Sequence, residues 1–232
     1  MLYQDQPLPV RRSVLDSHRS AYETFTRPGT WFTGDEKISI LREARHASQC
    51  TLCLKRKNAL SPFAVKGQHD AREKLSENII DVIHRLMTDS GRLTETWFRS
   101  VIESGLSREE YVEIVGAVST LIILDSFATG LGSDLASVGE AQSGEPSRVT
   151  NDNVLDCGAW VPLFNLPQEA TDTGLPTAPN IFRAMGLVPS AIEHFFGVMR
   201  AHYGLSNMDV GISRSQVELI AARVSALNQC FY

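Results

Sequence analysis

Residues 107–130 read SREEYVEIVGAVSTLIILDSFATG, and this stretch decides the fold. Ser107-Arg108-Glu109-Glu110 has the form of a helix N-terminal cap. From Val112 to Phe127 nearly every residue is apolar or small, so the spacing predicts one long helix running to about Thr129 and stopped at Gly130. A helix apolar on almost every side must be surrounded, which makes it the buried centre of a helical body. Glu113 and Asp125 interrupt it, and a buried carboxylate needs a histidine, arginine or hydroxyl partner.

Working outward, the same helical spacing recurs and no convincing alternation of period two appears, so the fold class is all-α. Leu93 to Glu103 is a short helix with Trp97, Phe98, Val101 and Ile102 inward, stopped by Gly105. Asp70-Ala71-Arg72-Glu73 has the look of a helix start, followed by Leu75, Ile79, Val82, Ile83 and Leu86 at helical spacing. Thr33-Gly34-Asp35-Glu36 has the form of a capping box and opens a helix towards Ser48. Arg12 to Phe25 is a further helix, broken by Pro28-Gly29. Downstream, 133–153 shifts to Gly, Ser, Glu, Asp and Asn and reads as a linker. Val154 to Asn180 is Pro- and Thr-rich and is expected to lie on the helical body without regular structure. Helices resume at Ser190 to Tyr203 and Arg214 to Leu227. The organisation expected is a helical domain at 12–132, an irregular linker at 133–180 and a partial second unit at 181–232.

Composition narrows the function. The 232 residues are 43% hydrophobic and 21% charged, with a formal net charge of −5 and a pI near 5.7. That balance argues against a nucleic-acid partner, which calls for a basic face. No apolar run reaches the roughly 18 residues of a membrane span, and Met1 to Arg12 lacks the apolar core of a secretory signal. The expected location is the cytoplasm. Four cysteines (Cys50, Cys53, Cys157 and Cys230) in a chain this long do not make a disulfide scaffold.

Cys50-Thr51-Leu52-Cys53 is the one C-x-x-C motif. Two thiols at this spacing can close a disulfide or bind a metal. A helix N-terminus at the first thiol would lower its pKa, and Lys55, Arg56 and Lys57 would add to that electrostatic support. Ionisable residues that could serve the thiols are His46, four residues before Cys50, Glu43 one turn further back, and His69 in the loop 67–70. Asp81 and His84 are helical neighbours on an otherwise apolar helix, and Glu113 lies in the central one.

The last two helices echo the first two. Thr33 to Glu36 aligns with Ser213 to Gln216, and Gln49-Cys50 with Gln229-Cys230, at one offset of 180 residues, which reads as an internal duplication. Glu218-Leu219-Ile220-Ala221 followed by Val224 to Cys230 resembles the core of the alkylhydroperoxidase D / carboxymuconolactone decarboxylase family, in which a glutamate precedes C-x-x-C and a histidine. Met185-Gly186-Leu187-Val188-Pro189 resembles the peroxidase-related branch, and 12–132 resembles the family more loosely. The resemblance implies an all-helical, homo-oligomeric protein that reduces peroxides with a C-x-x-C pair and a Glu/His proton relay, with no metal or other cofactor. Cys53 would attack the peroxide and Cys50 would resolve it, although the spacing alone favours the first thiol. The departures are specific: Ile38 stands at the family's glutamate, Leu52 at the histidine between the cysteines and Lys57 at the relay histidine.

Three function classes follow. The first is a thiol-dependent peroxidase or disulfide redox protein, whose partners are a peroxide or other small molecule and a thiol reductant protein. Its expected site is Cys50 and Cys53 with His84, His46 and Glu113 as proton donors. The second is a metal site of Cys50, Cys53 and two of His46, His69 and His84. The third is a non-catalytic helical scaffold whose site has decayed.

Overall fold

The computed structural model describes residues 2–3, 8–166, 178–203 and 210–227. Within them the chain is all-α. The helices are α1 (Arg12–Thr26), α2 (Gly34–His46), α3 (Thr51–Asn58), α4 (Glu77–Asp89), α5 (Glu95–Glu103), α6 (Arg108–Gly130), α7 (Asn180–Met185), α8 (Pro189–His202) and α9 (Arg214–Leu227). A two-residue antiparallel pair, β1 (Val154–Leu155) with β2 (Leu163–Phe164), places Val154 opposite Phe164. Among the described residues this small pair departs from the irregular course expected for 154–180, and α7 starts at Asn180, ahead of the helix expected from Ser190; 167–177 lie outside the described residues.

The caps set the helix starts. Thr33 and Glu36 make a reciprocal capping box at α2, and Ser107 and Glu110 make another at α6. Ser213 and Gln216 exchange the same two bonds at α9. Each satisfies two N–H groups that the first helical turn leaves without partners.

Helix α6 is the centre, packed by α1, α2, α4, α7 and α8. Ile114, Leu121 and Leu124 are fully buried along it. By length and composition α6 could also cross a membrane, contrary to the reading that no apolar run is long enough; in this fold it is the core helix. Gly116 allows α8 to approach: a Cβ there would lie 2.8 Å from the Ala191 Cβ. Leu187, Val188, Ala191 and Val198 thus enter the same core as Phe25, Leu41, Ile83 and Phe98. Helix α9 instead exposes Leu219, Ile220, Val224 and Leu227.

The two carboxylates that interrupt the apolar run of α6 are both partnered. Asp125 takes a two-pronged ion pair from Arg45, at 2.8 Å to Nε and 2.7 Å to Nη2. Glu113 accepts instead from backbone, the N–H of Thr30 at 3.2 Å and of Trp31 at 2.6 Å. Its carboxylate fills the space where any Cβ at position 29 would sit, so the turn there needs Gly29. The segment 133–153 is a fastened strap. Gln142 N–H donates to Thr26 O at 2.7 Å and Arg148 N–H to Thr30 O at 2.9 Å, while Arg45 Nη1 donates to Ala136 O at 2.8 Å.

The helix expected to start at Asp70 starts at Glu77. Asp70 does cap a helix, but a different one: its Oδ2 accepts from Thr51 N–H, at the start of α3, at 2.7 Å. The N–H groups of Arg72 and Glu73 are drawn to Glu43, so 65–76 runs as a loop from α3 to α4.

Candidate functional site

The site begins where α2 fails to continue. A tight 3-10 turn at Ala47–Gln49 leaves Cys50 extended, with φ −66° and ψ 123°, as the N-cap of α3. Cys50 therefore sits at a helix N-terminus, where backbone N–H groups favour negative charge. Cys53 lies one turn inside α3. Both sulfurs are free thiols and both residues are buried.

Two histidines reach the sulfurs by different routes. His84, fully buried on α4, places Nδ1 3.2 Å from Cys53 Sγ. His69, carried by the loop, places Nδ1 3.5 Å from Cys53 Sγ and 3.6 Å from Cys50 Sγ. The two rings meet edge to face, with centroids 4.4 Å apart.

Each histidine is held from behind by a carboxylate. His84 Nε2 is 2.7 Å from Glu43 Oε1, and Glu43 is also fully buried. The second Glu43 oxygen accepts from the N–H of Arg72 at 2.9 Å and of Glu73 at 2.7 Å. His69 Nε2 is 2.9 Å from Asp81 Oδ1. Asp81 also accepts from Arg56 Nη1 at 2.9 Å and from Trp97 Nε1 at 2.7 Å.

These surroundings set the charges. Burial by itself would raise Glu43, but the bonds from His84 and the two backbone N–H groups outweigh it and leave the carboxyl below its ordinary range. Burial also drives His84 down, more than Glu43 raises it, so the ring is neutral near pH 7. A neutral His84 gives its Nε2–H to Glu43 and presents a lone pair on Nδ1 to Cys53. For His69 burial again lowers the pKa, but the bonds to Asp81 and to both sulfurs carry it up to about 10. Asp81 is held far below the usual carboxylate range: its burial is overcome by His69, Trp97, Arg85 and Arg56. Burial pushes the Cys50 thiol up, yet hydrogen bonds from the backbone of Cys53 and Asp70 and from His69 bring it below its ordinary value. Cys50 thus faces a cationic His69, whose charge and hydrogen bond favour its thiolate form, and Cys53 faces a neutral base.

Of the residues nominated from the sequence, His84 stands on Cys53. His46 turns away, with Nε2 2.7 Å from the carbonyl oxygen of Asp70. Glu113 serves Thr30 and Trp31 and makes no hydrogen bond to either sulfur. The other roles fall to Glu43, His69 and Asp81, with Asp81 bonding to His69 rather than to its helical neighbour His84. Of the three basic residues after the motif, only Arg56 reaches the site, through Asp81 and His69; Lys55 and Lys57 are exposed in the last turn of α3. Arg56 is legible only as one of three basic residues after the motif, and Trp97 only as an inward apolar residue; nothing in the sequence marks either as a partner of Asp81. Cys157 is exposed, and Cys230 lies outside the described residues. A cleft of about 330 Å³, lined by Arg56, Gly67, Gln68, His69, Glu77 and Asp81 among others, brings solvent to His69.

Compared with family models, with curated proteins and with solved structures, the chain matches none.

Proposed function

We propose that this protein is a thiol-dependent peroxidase of small peroxides, cycling Cys50 and Cys53 between dithiol and disulfide. The observation that carries it is the buried line Cys53 Sγ, His84 Nδ1, His84 Nε2, Glu43 Oε1, with contacts of 3.2 and 2.7 Å. A nucleophile, a base in reach and a third group fixing the base's tautomer are the parts of an activated nucleophile. The resemblance to the alkylhydroperoxidase D family supports the same reading, with Glu43 and His84 filling the relay that Ile38 and Lys57 leave vacant.

The steps follow from the geometry. Neutral His84 takes the Cys53 proton at Nδ1, and Glu43 steadies the resulting imidazolium. The Cys53 thiolate attacks one peroxide oxygen; an S–O bond forms and the O–O bond breaks. The departing oxygen takes the proton back from His84 and leaves as water or an alcohol, a transfer that needs the donor in hydrogen-bond reach. Cys53 is now a sulfenic acid. The Cys50 thiolate attacks its sulfur, forming the S–S bond, and the hydroxide expelled takes a proton from His69 and leaves as water. An external dithiol restores the pair by exchange, supplying two electrons and two protons. Burial of both sulfurs and the approach beside His69 favour hydrogen peroxide and short alkyl hydroperoxides over bulky ones.

Peroxide consumption with a dithiol reductant tests the reading. Cys53→Ser is expected to abolish it, and Cys50→Ser to leave a sulfenic acid on Cys53 that a dimedone probe traps. Wild type consuming peroxide no faster than Cys53→Ser would return the protein to the scaffold class.

A further inference from the structure

The same four side chains have a second property that peroxide chemistry does not require. The Sγ atoms of Cys50 and Cys53 and the Nδ1 atoms of His69 and His84 all lie within 4.8 Å of one another. We propose that the reduced protein binds one zinc ion here, in a tetrahedral Cys2His2 site that is an alternative to the disulfide.

Three independent features point to a metal. First, spacing. Zinc holds sulfur at about 2.3 Å and imidazole nitrogen at about 2.0–2.1 Å, so a regular tetrahedron has S···N edges of about 3.5–3.6 Å. The contacts here are 3.2, 3.5 and 3.6 Å. Movements of a few tenths of an ångström suffice to admit the ion. Second, orientation. Both histidines turn Nδ1 inward and anchor Nε2 on a carboxylate, Glu43 for His84 and Asp81 for His69. That carboxylate–histidine–metal arrangement fixes the tautomer and raises the ligand's basicity. Third, the sulfur environment. The Asp70 N–H approaches Cys50 Sγ at 3.4 Å, a donor suited to a sulfur that stays deprotonated. Two thiolates neutralise a divalent ion in a buried site, and the soft ligand set selects zinc over magnesium or calcium.

The metal and the disulfide exclude each other, because each uses both sulfurs. Oxidation of the loaded site balances as two thiolates, one hydrogen peroxide and two protons giving one disulfide, two waters and a released zinc ion. The zinc site would link α3, the 65–76 loop and α4, beside the Arg56–Asp81–His69 contacts that already join them. It stands whether or not the protein turns over peroxide.

Cobalt(II) titrated into the reduced, metal-free full chain is the direct test, because a tetrahedral thiolate site gives intense visible bands and a sulfur-to-cobalt charge-transfer band. One equivalent is expected to saturate both, and zinc to bleach them. His69→Ala and Cys50→Ser should remove the tetrahedral signature, while Cys157→Ser leaves it intact. Asp81→Asn, which touches no ligand sulfur, should weaken cobalt binding by about 10–100-fold with the band positions kept. Weak octahedral bands, no charge-transfer band, or a signature unchanged in both Cys50→Ser and His69→Ala would overturn the proposal. Peroxide consumption by the metal-free protein is read separately, so either proposal can fail alone.

Discussion

Replacing Glu43 by Gln isolates the part of the site that gives His84 its role. The wild-type carboxylate takes three charge-assisted bonds, from His84 at 2.7 Å and from the N–H groups of Arg72 at 2.9 Å and Glu73 at 2.7 Å. A glutamine can keep the two loop bonds through its carbonyl oxygen. Its NH2 end then faces His84 Nε2, which must give up its hydrogen and become the acceptor. The imidazole proton moves to Nδ1, pointing at Cys53, and the ring can no longer take the thiol proton. A triad base trapped in the wrong tautomer loses about 10⁴ in rate, and a less demanding thiol reaction should lose about 10²–10⁴. Stability should fall by about 1–3 kcal/mol, because a charged hydrogen bond becomes a neutral one in a fully buried place. Initial rates with hydrogen peroxide and excess dithiol measure the first effect, denaturant unfolding the second, and ring-nitrogen NMR of His84 the tautomer itself. A variant within roughly threefold of wild-type rate, with the Nδ1 proton present, would refute the relay, since that change lies within the scatter of a peripheral substitution.

Acid sensitivity is expected well away from the thiols. His18 is fully buried between Tyr3 and His202, its Nε2 2.7 Å from the Nε2 of His202, and burial followed by the His202 charge lowers its pKa to about 4. The neutral form is the folded one, so this contribution is complete above pH 6.5 and is lost as pH falls from 6.5 to about 4, on the order of 3 kcal/mol in all. His194 behaves alike, lowered to about 3 chiefly by burial, and a flat unfolding free energy between pH 7 and 4 would contradict both. Gly116→Val should drive α6 and α8 apart, costing about 2 kcal/mol and roughly 4–8 °C in Tm; an unchanged midpoint would show that the close approach to Ala191 is not needed. Assembly into at least a dimer is expected from the exposed Leu219, Ile220, Val224 and Leu227 of α9, and a monomer by light scattering at micromolar concentration would count against it.

What was legible in the sequence was what is local. The capping residues at Thr33, Ser107 and Ser213 announce their helices because each cap is closed within four residues. The apolar run from Val112 to Phe127 marks the centre because only a surrounded helix tolerates it. The site was legible by half. His84 stands out as a polar residue on an apolar helix face. His46 would share a face with Cys50 only if α2 continued, and the 3-10 turn at Ala47–Gln49 breaks that register and turns His46 to Asp70. Glu113 was a buried acid in need of a partner, and backbone N–H groups at Thr30 and Trp31 supply it, which side-chain pairing rules do not anticipate. His69 and Asp81 meet only because the loop folds back across α4. Asp70 misled because an acidic residue before a helical run looks alike whether it caps its own helix or that of a neighbour.

The most direct test of the central claim is a mass measurement. Trypsin releases Cys50 and Cys53 together in one short peptide, from His46 to Lys55. The reduced protein is treated with one equivalent of hydrogen peroxide, blocked with a thiol-alkylating reagent and digested. A working dithiol site gives that peptide unalkylated and about 2 Da lighter than its reduced form, reversibly with a dithiol, while Cys157 is alkylated throughout. Full alkylation of both Cys50 and Cys53 after peroxide, or an irreversible sulfinic acid on either, would contradict a redox cycle at this site.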